Sequence, residues 1–153
     1  MSFLLTPFAT VSGWSSILHA TIGGDHAKYG DRIPGVFFIS GSTRLHICSA
    51  VNGKSNYCFN SKAIPLGKAS TIVISQINVK GTYWYQIFIN GKRVHHIINK
   101  RPGVFKKVRL FTADKWYKPA KACVSKISIL SKGIYFFTIY IPYFLPVFSL
   151  KLG

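Results

Sequence analysis

An all-β fold, two antiparallel sheets packed face to face as a sandwich, is what this sequence predicts, and three observations carry that prediction. Short runs with period-two alternation recur along the chain, turn residues punctuate them at regular intervals, and no stretch before Gly133 has a helical period. A length of 153 residues is enough for one hydrophobic core, and an apolar content of 48% excludes disorder.

The elements follow in order. Residues 1–13 read as an N-terminal extension, and the sandwich is assigned to residues 14–132. Trp14 to Ile22 is the first strand-like run and ends in Gly23-Gly24. A loop from Asp25 to Arg32 leads through Pro34-Gly35 to the run Val36 to Ile39, and Gly41-Ser42 turns into Leu45 to Val51. Asn52-Gly53 and Asn90-Gly91 are the strongest hairpin signals, because a type I′ turn needs positive φ at both central residues and Asn-Gly supplies it. Thr71 to Ile77, Tyr83 to Asn90, Val94 to Ile98, Val104 to Phe111 and Ala122 to Leu130 complete roughly nine strands. The alternation on Tyr83 to Asn90 places Trp84 mid-strand, where core packing is the expected role. His95 and His96 alternate faces, so at most one points inward.

Cys48 and Cys58 lie almost equally far from the turn at Asn52-Gly53. Directly opposed strand residues have Cα separations of ~4.5–5.5 Å, which a disulfide accepts, so a cross-strand bridge and an oxidising compartment are expected. Two buried thiols in a cytosolic sandwich are the alternative. Cys123 is left over.

Twenty Lys and Arg face three acids, Asp25, Asp31 and Asp114, and the formal net charge is +17. Such a field attracts nucleic acid, acidic lipid surfaces or sulfated glycans. Glycoside hydrolysis uses two facing carboxylates, and no pair is suggested by the spacing of three Asp without any Glu. The five histidines show neither a His-Glu-x-x-His run nor a paired Cys-x-x-Cys, so no catalytic zinc is expected. No cofactor and no metal ligand is assigned.

From Ile134 to Leu150 the chain is almost wholly apolar between Lys132 and Lys151. Three readings of residues 133–153 stand: a run appended by reading through a splice-donor-like stretch, a membrane anchor over 134–150, or a buried terminal strand. Two prolines, Pro142 and Pro146, oppose a straight helix. No secretion signal is visible at the N-terminus, so an extracellular domain would imply a fragment or an incomplete gene model.

Five motifs, Gly30-Asp31-Arg32-Ile33-Pro34, Leu45-His46-Ile47, Ile74-Ser75-Gln76, Ile87-Phe88-Ile89-Asn90-Gly91-Lys92 and Ala113-Asp114-Lys115-Trp116-Tyr117-Lys118-Pro119-Ala120, resemble the concanavalin A-like lectin/glucanase superfamily. The form is the laminin-G-like one of animal extracellular and matrix proteins, and the resemblance runs from about Trp14 to Leu130. Similar sequences carry Asp-Pro-Trp-Tyr at the last motif, so Lys115 is a departure. The resemblance implies a jelly roll, with ligands met on the concave face or at the loop rim. The catalytic glutamates of the glucanase branch have no counterpart here, and for a hard cation only Asp31 with amide or carbonyl partners remains.

Two sets of residues are candidates for binding. Trp116 and Tyr117 occupy a turn flanked by Lys115 and Lys118 and offer rings that stack on sugars; the alternative is that this turn plugs the end of the sandwich. Lys100, Arg101, Lys106 and Lys107 fall on a loop and strand that together form a basic edge suited to a sulfated glycosaminoglycan. Asp31 and Arg32 read as a structural ion pair within their loop. The function expected is a non-enzymatic extracellular or cell-surface recognition module for adhesion, binding a glycan or a matrix protein. The alternatives are a membrane-tethered structural domain and a glycosidase-like enzyme. Nucleic acid is not favoured, since no recognised nucleic-acid fold signature accompanies the charge.

Overall fold

The computed structural model describes residues 1–131, 134–139 and 148–151. Its strands are β1 (Ser2–Pro7), β2 (Ser15–Thr21), β3 (Gly35–Phe38), β4 (Arg44–Val51), β5 (Lys54–Ala63), β6 (Ser70–Val79) and β7 (Thr82–Ile89). They continue with β8 (Lys92–Ile98), β9 (Arg109–Thr112), β10 (Lys118–Pro119), β11 (Ala122–Ser131), β12 (Ile134–Ile139) and β13 (Phe148–Lys151). One sheet has the order β12-β11-β1-β6-β7-β8 and the other β13-β9-β2-β3-β4-β5, with β10 parallel to β2. The protein is an all-β sandwich.

Alternation builds the core. Phe3 and Leu5 of β1, Ile72 and Ile74 of β6, Tyr85 and Ile87 of β7 and Ile127 of β11 meet Leu18, Ala20, Val36, Phe38, Leu45 and Ile47 of the other sheet in one buried cluster. Each fully buried aliphatic or aromatic side chain contributes roughly 1.5–3 kcal/mol, so this cluster is the main source of stability. Both Asn-Gly turns have positive φ at each central residue: Asn52 55° and Gly53 77°, Asn90 51° and Gly91 77°. Lys80 (49°) and Gly81 (85°) make a third such turn, between β6 and β7, where the sequence held no Asn-Gly.

Three expectations change. Residues 1–13, read as an extension, supply β1, which lies between β11 and β6 with Phe3 and Leu5 buried. The run Val104 to Phe111 is strand only from Arg109; Val104 is 92% exposed, and the segment before β9 is a loop held down by Phe105. Trp84 is not in the core. Its neighbours Tyr85 and Ile87 point inward, so Trp84 faces outward against His96, in line with Ile77 and Ile98. Of the apolar tail, residues 134–139 and 148–151 pair with β11 and β9; the rest of the membrane anchor expected over 134–150 lies outside the described residues. Among the described residues no helix is long and apolar enough to cross a membrane.

Candidate functional site

The outer face of the β2–β5 sheet carries the chemistry. Leu18, Val36, Phe38, Leu45 and Ile47 enter the core, so the residues between them, His19, Phe37, His46 and Cys48, project to the opposite side. Two segments fold over them: the loop between β2 and β3, and the turn after β9.

Asp114 organises the turn. Its Oδ1 accepts the backbone N–H groups of Trp116 and Tyr117, both at 3.0 Å, and its Oδ2 meets His19 Nδ1 at 2.8 Å. His19 Nε2 lies 2.7 Å from the Asp31 carbonyl, which only accepts, so Nε2 carries a hydrogen and a single proton sits between Nδ1 and Asp114. Both side chains are completely buried. Breaking such a pair leaves an uncompensated polar group and costs about 3–5 kcal/mol.

Arg32 organises the loop. Its guanidinium donates to Asp25 Oδ1 at 2.7 Å, to Asn56 Oδ1 at 2.8 Å and to the Tyr117 hydroxyl at 3.0 Å, and it lies 4.7 Å from the Phe37 ring centre. The ion pair is therefore Arg32 with Asp25, not with Asp31. Burial alone would raise the Asp25 carboxyl, but hydrogen bonds from Arg32, His26 and Tyr117 and the Arg32 charge outweigh it and hold the group below its ordinary value. Asp31 accepts the backbone N–H groups of Gly24 at 3.1 Å and Lys28 at 2.7 Å. A Cβ on Gly24 would stand 2.5 Å from the Asp31 carboxylate, so glycine is required there. Each Asp31 oxygen thus accepts one backbone N–H of its own loop.

Between these elements opens a cleft of about 230 Å³ lined by Trp14, His26, Arg32, Phe37, His46, Asn56 and Tyr117. Trp14 is 42% exposed and packs edge-on against His46, with ring centres 4.7 Å apart. Burial pushes the His46 imidazole below its ordinary value, against the opposing hydrogen bond that it donates to the Asn60 amide oxygen. All three Asp side chains are engaged in these contacts and Arg32 is bound to Asp25, Asn56 and Tyr117, so the cleft presents aromatic faces and polar groups beside the Arg32 guanidinium. Tyr117 lines it; Trp116 instead packs over His19, with ring centres 5.2 Å apart.

Cys48 and Cys58 form the expected disulfide, with Cα atoms 4.0 Å apart. The turn alone would set Cys48 opposite Tyr57. A bulge in β5, where Ser55 and Asn56 together oppose Ala50, advances the register by one so that Ser49 faces Tyr57 and Cys48 faces Cys58.

At one end of the sandwich the basic residues collect. Asn52, in the β4–β5 turn, accepts the Lys100 N–H at 2.6 Å and donates to the Ile98 carbonyl, and the Arg101 side chain lies against Gly53. Tyr29 donates to the Arg101 carbonyl and packs on Phe105. These contacts bring the 22–31 loop, the 52–54 turn and the 99–109 loop together, with Lys28, Lys54, Lys100, Arg101, Lys106, Lys107 and Arg109 all exposed.

Lys100, Arg101, Lys106 and Lys107 are all exposed in the segment between β8 and β9, and Tyr117, but not Trp116, lines the cleft. Sequence reasoning missed Trp14, His26, His46 and Asn56. Period-two alternation on β4 was the signal that set His46 apart from Leu45 and Ile47. Compared with known families, curated proteins and solved structures, the chain matches no family model, no curated protein and no solved structure.

Proposed function

We propose that this protein is a non-enzymatic recognition module of the extracellular or cell-surface kind, related to the laminin-G-like branch of the concanavalin A-like superfamily, and that it binds a sulfated glycan at its basic end. One observation carries this reading: seven exposed cationic side chains come from three segments that touch one another, while the carboxylates of Asp25 and Asp31 within the first of them are bound by Arg32 and by backbone N–H groups, and that of Asp114 by His19. Sulfate groups along a polysaccharide match such a surface through Coulomb attraction, which salt screens over ~10 Å at 0.1 M. The disulfide is compatible with an oxidising compartment. Engagement of every carboxylate in structural hydrogen bonds argues against an acid–base pair for glycoside cleavage.

A second reading, a neutral sugar or a protein side chain held in the cleft, is favoured by the exposed Trp14 ring beside His46 and Asn56. The test separates the two. Replacing Lys100, Arg101, Lys106 and Lys107 together by Ser lowers the salt concentration at which the protein leaves a heparin column, whereas Trp14→Ala leaves it unchanged. Equal elution of the quadruple variant and the parent would sink the basic-end reading and turn attention to the cleft.

A further inference from the structure

The outer face of the β2–β5 sheet holds one more cluster. His46 and Cys48 stand two residues apart on the same face of β4, and the β5 bulge sets Cys58 directly beside Cys48. One ring nitrogen of His46 and the two sulfurs lie within 4.8 Å of one another. We propose that reduction of the Cys48–Cys58 disulfide turns this trio into a binding site for a borderline-soft divalent cation of the zinc class. The proposal is independent of the glycan reading.

The chemistry of the donor set selects the ion. Two thiolates and an imidazole suit zinc-like cations and are poor ligands for the oxygen-seeking calcium and magnesium. With zinc–sulfur bonds of about 2.3 Å and zinc–nitrogen bonds of about 2.0–2.1 Å, ligand atoms of a tetrahedral site stand roughly 3.3–3.8 Å apart, so small side-chain rotations complete it. The Asn60 amide oxygen lies 2.6 Å from His46 Nδ1 and accepts its hydrogen, which leaves the lone pair on Nε2. A hydrogen bond of this kind is how metal-binding histidines are held in one tautomer and one orientation. Three protein ligands leave a fourth position for water, and one of the three, His46, lines the cleft.

The step balances with a dithiol reductant. Two electrons and two protons from the dithiol cleave the sulfur–sulfur bond, giving two protein thiols and the oxidised, cyclic disulfide of the reductant. The cation then displaces one proton from each thiol and binds the resulting thiolates, so oxidised protein has no site and reduced protein has one.

The experiment uses the full chain with Cys123→Ser, which removes the free thiol. After anaerobic reduction and removal of the reductant, cobalt(II) is titrated as a coloured stand-in for zinc, with circular dichroism recording the fold. Reduced protein is expected to take up one equivalent, with a thiolate-to-cobalt charge-transfer band and visible bands of tetrahedral intensity, both abolished by excess zinc. Oxidised protein gives neither. His46→Gln, and to a lesser degree Asn60→Ala, weakens uptake, the former by more than roughly tenfold. If reduction unfolds the chain, recovery of the native dichroism on adding zinc supports the site, and failure to recover overturns it. Reduced, folded protein without the charge-transfer band, or uptake indifferent to His46→Gln, would also overturn it.

Discussion

His95 and His96 show how two adjacent residues of one type acquire different physics. A register shift in the β7–β8 pairing sets His95 opposite Ile87, facing the core side, and His96 opposite Gln86, facing out. His95 stacks on Phe59 with ring centres 5.0 Å apart and meets the Tyr57 hydroxyl at 3.1 Å, while His96 lies against Trp84. Burial, aided by the nearby His96, pushes the His95 imidazole below its ordinary value of 6.5. A folded-state value lower than the unfolded one means that the unfolded chain takes up the proton first. This contribution to stability is therefore complete above about pH 6.5 and is lost as pH falls through the folded value. Asp25, held below 3.8, adds a second loss that begins only in stronger acid. Unfolding temperature measured from about pH 7 downward should fall in these two stages; His46, pushed down by burial in the same way, shares the first, so His95→Gln should flatten it in part. An unchanged first stage in that variant would assign it to another group.

Among the elements, the turn that follows β9 has the most specific local logic. Asp114 accepts from the N–H groups of Trp116 and Tyr117, whereas the Lys115 N–H has no acceptor among the described residues and its side chain is exposed. Position 115 is thus open to proline, which lacks only the N–H the turn does not use. Lys115→Pro is expected to stabilise the fold by about 0.4–1 kcal/mol through a less flexible unfolded chain, as read by urea denaturation. A loss of similar size would mean that the backbone at Lys115 cannot take the proline φ. The β5 bulge is the corresponding device on the cleft side. It was invisible in the spacing of Cys48 and Cys58, which predicted proximity but left the one-residue offset to the sheet.

For the molecule as a whole, charge is the dominant constraint. Twenty Lys and Arg against three Asp give a net +17, so a polyanion that binds only the folded form raises its apparent stability by mass action. A sulfated oligosaccharide should raise the unfolding temperature of the parent, and added salt should erase the increase. The Lys100, Arg101, Lys106 and Lys107 quadruple variant should show a smaller shift. A shift that persists in high salt would point to binding by uncharged contacts in the cleft.

The all-β class, the two Asn-Gly hairpins, the disulfide pairing and the basic character of residues 100–107 were legible in the sequence because each depends on local pattern: alternation, turn chemistry, equal distance from a turn, or simple composition. The central place of β1, the partnership of Arg32 with Asp25, the outward face of Trp84 and the cleft joining Trp14, His46, Asn56 and Tyr117 were decided by the tertiary structure. Those features rest on contacts between residues far apart in the chain, set by strand order and by bulges that shift register one residue at a time. Such shifts follow from the packing of a whole sheet, so no local run of residues encodes them.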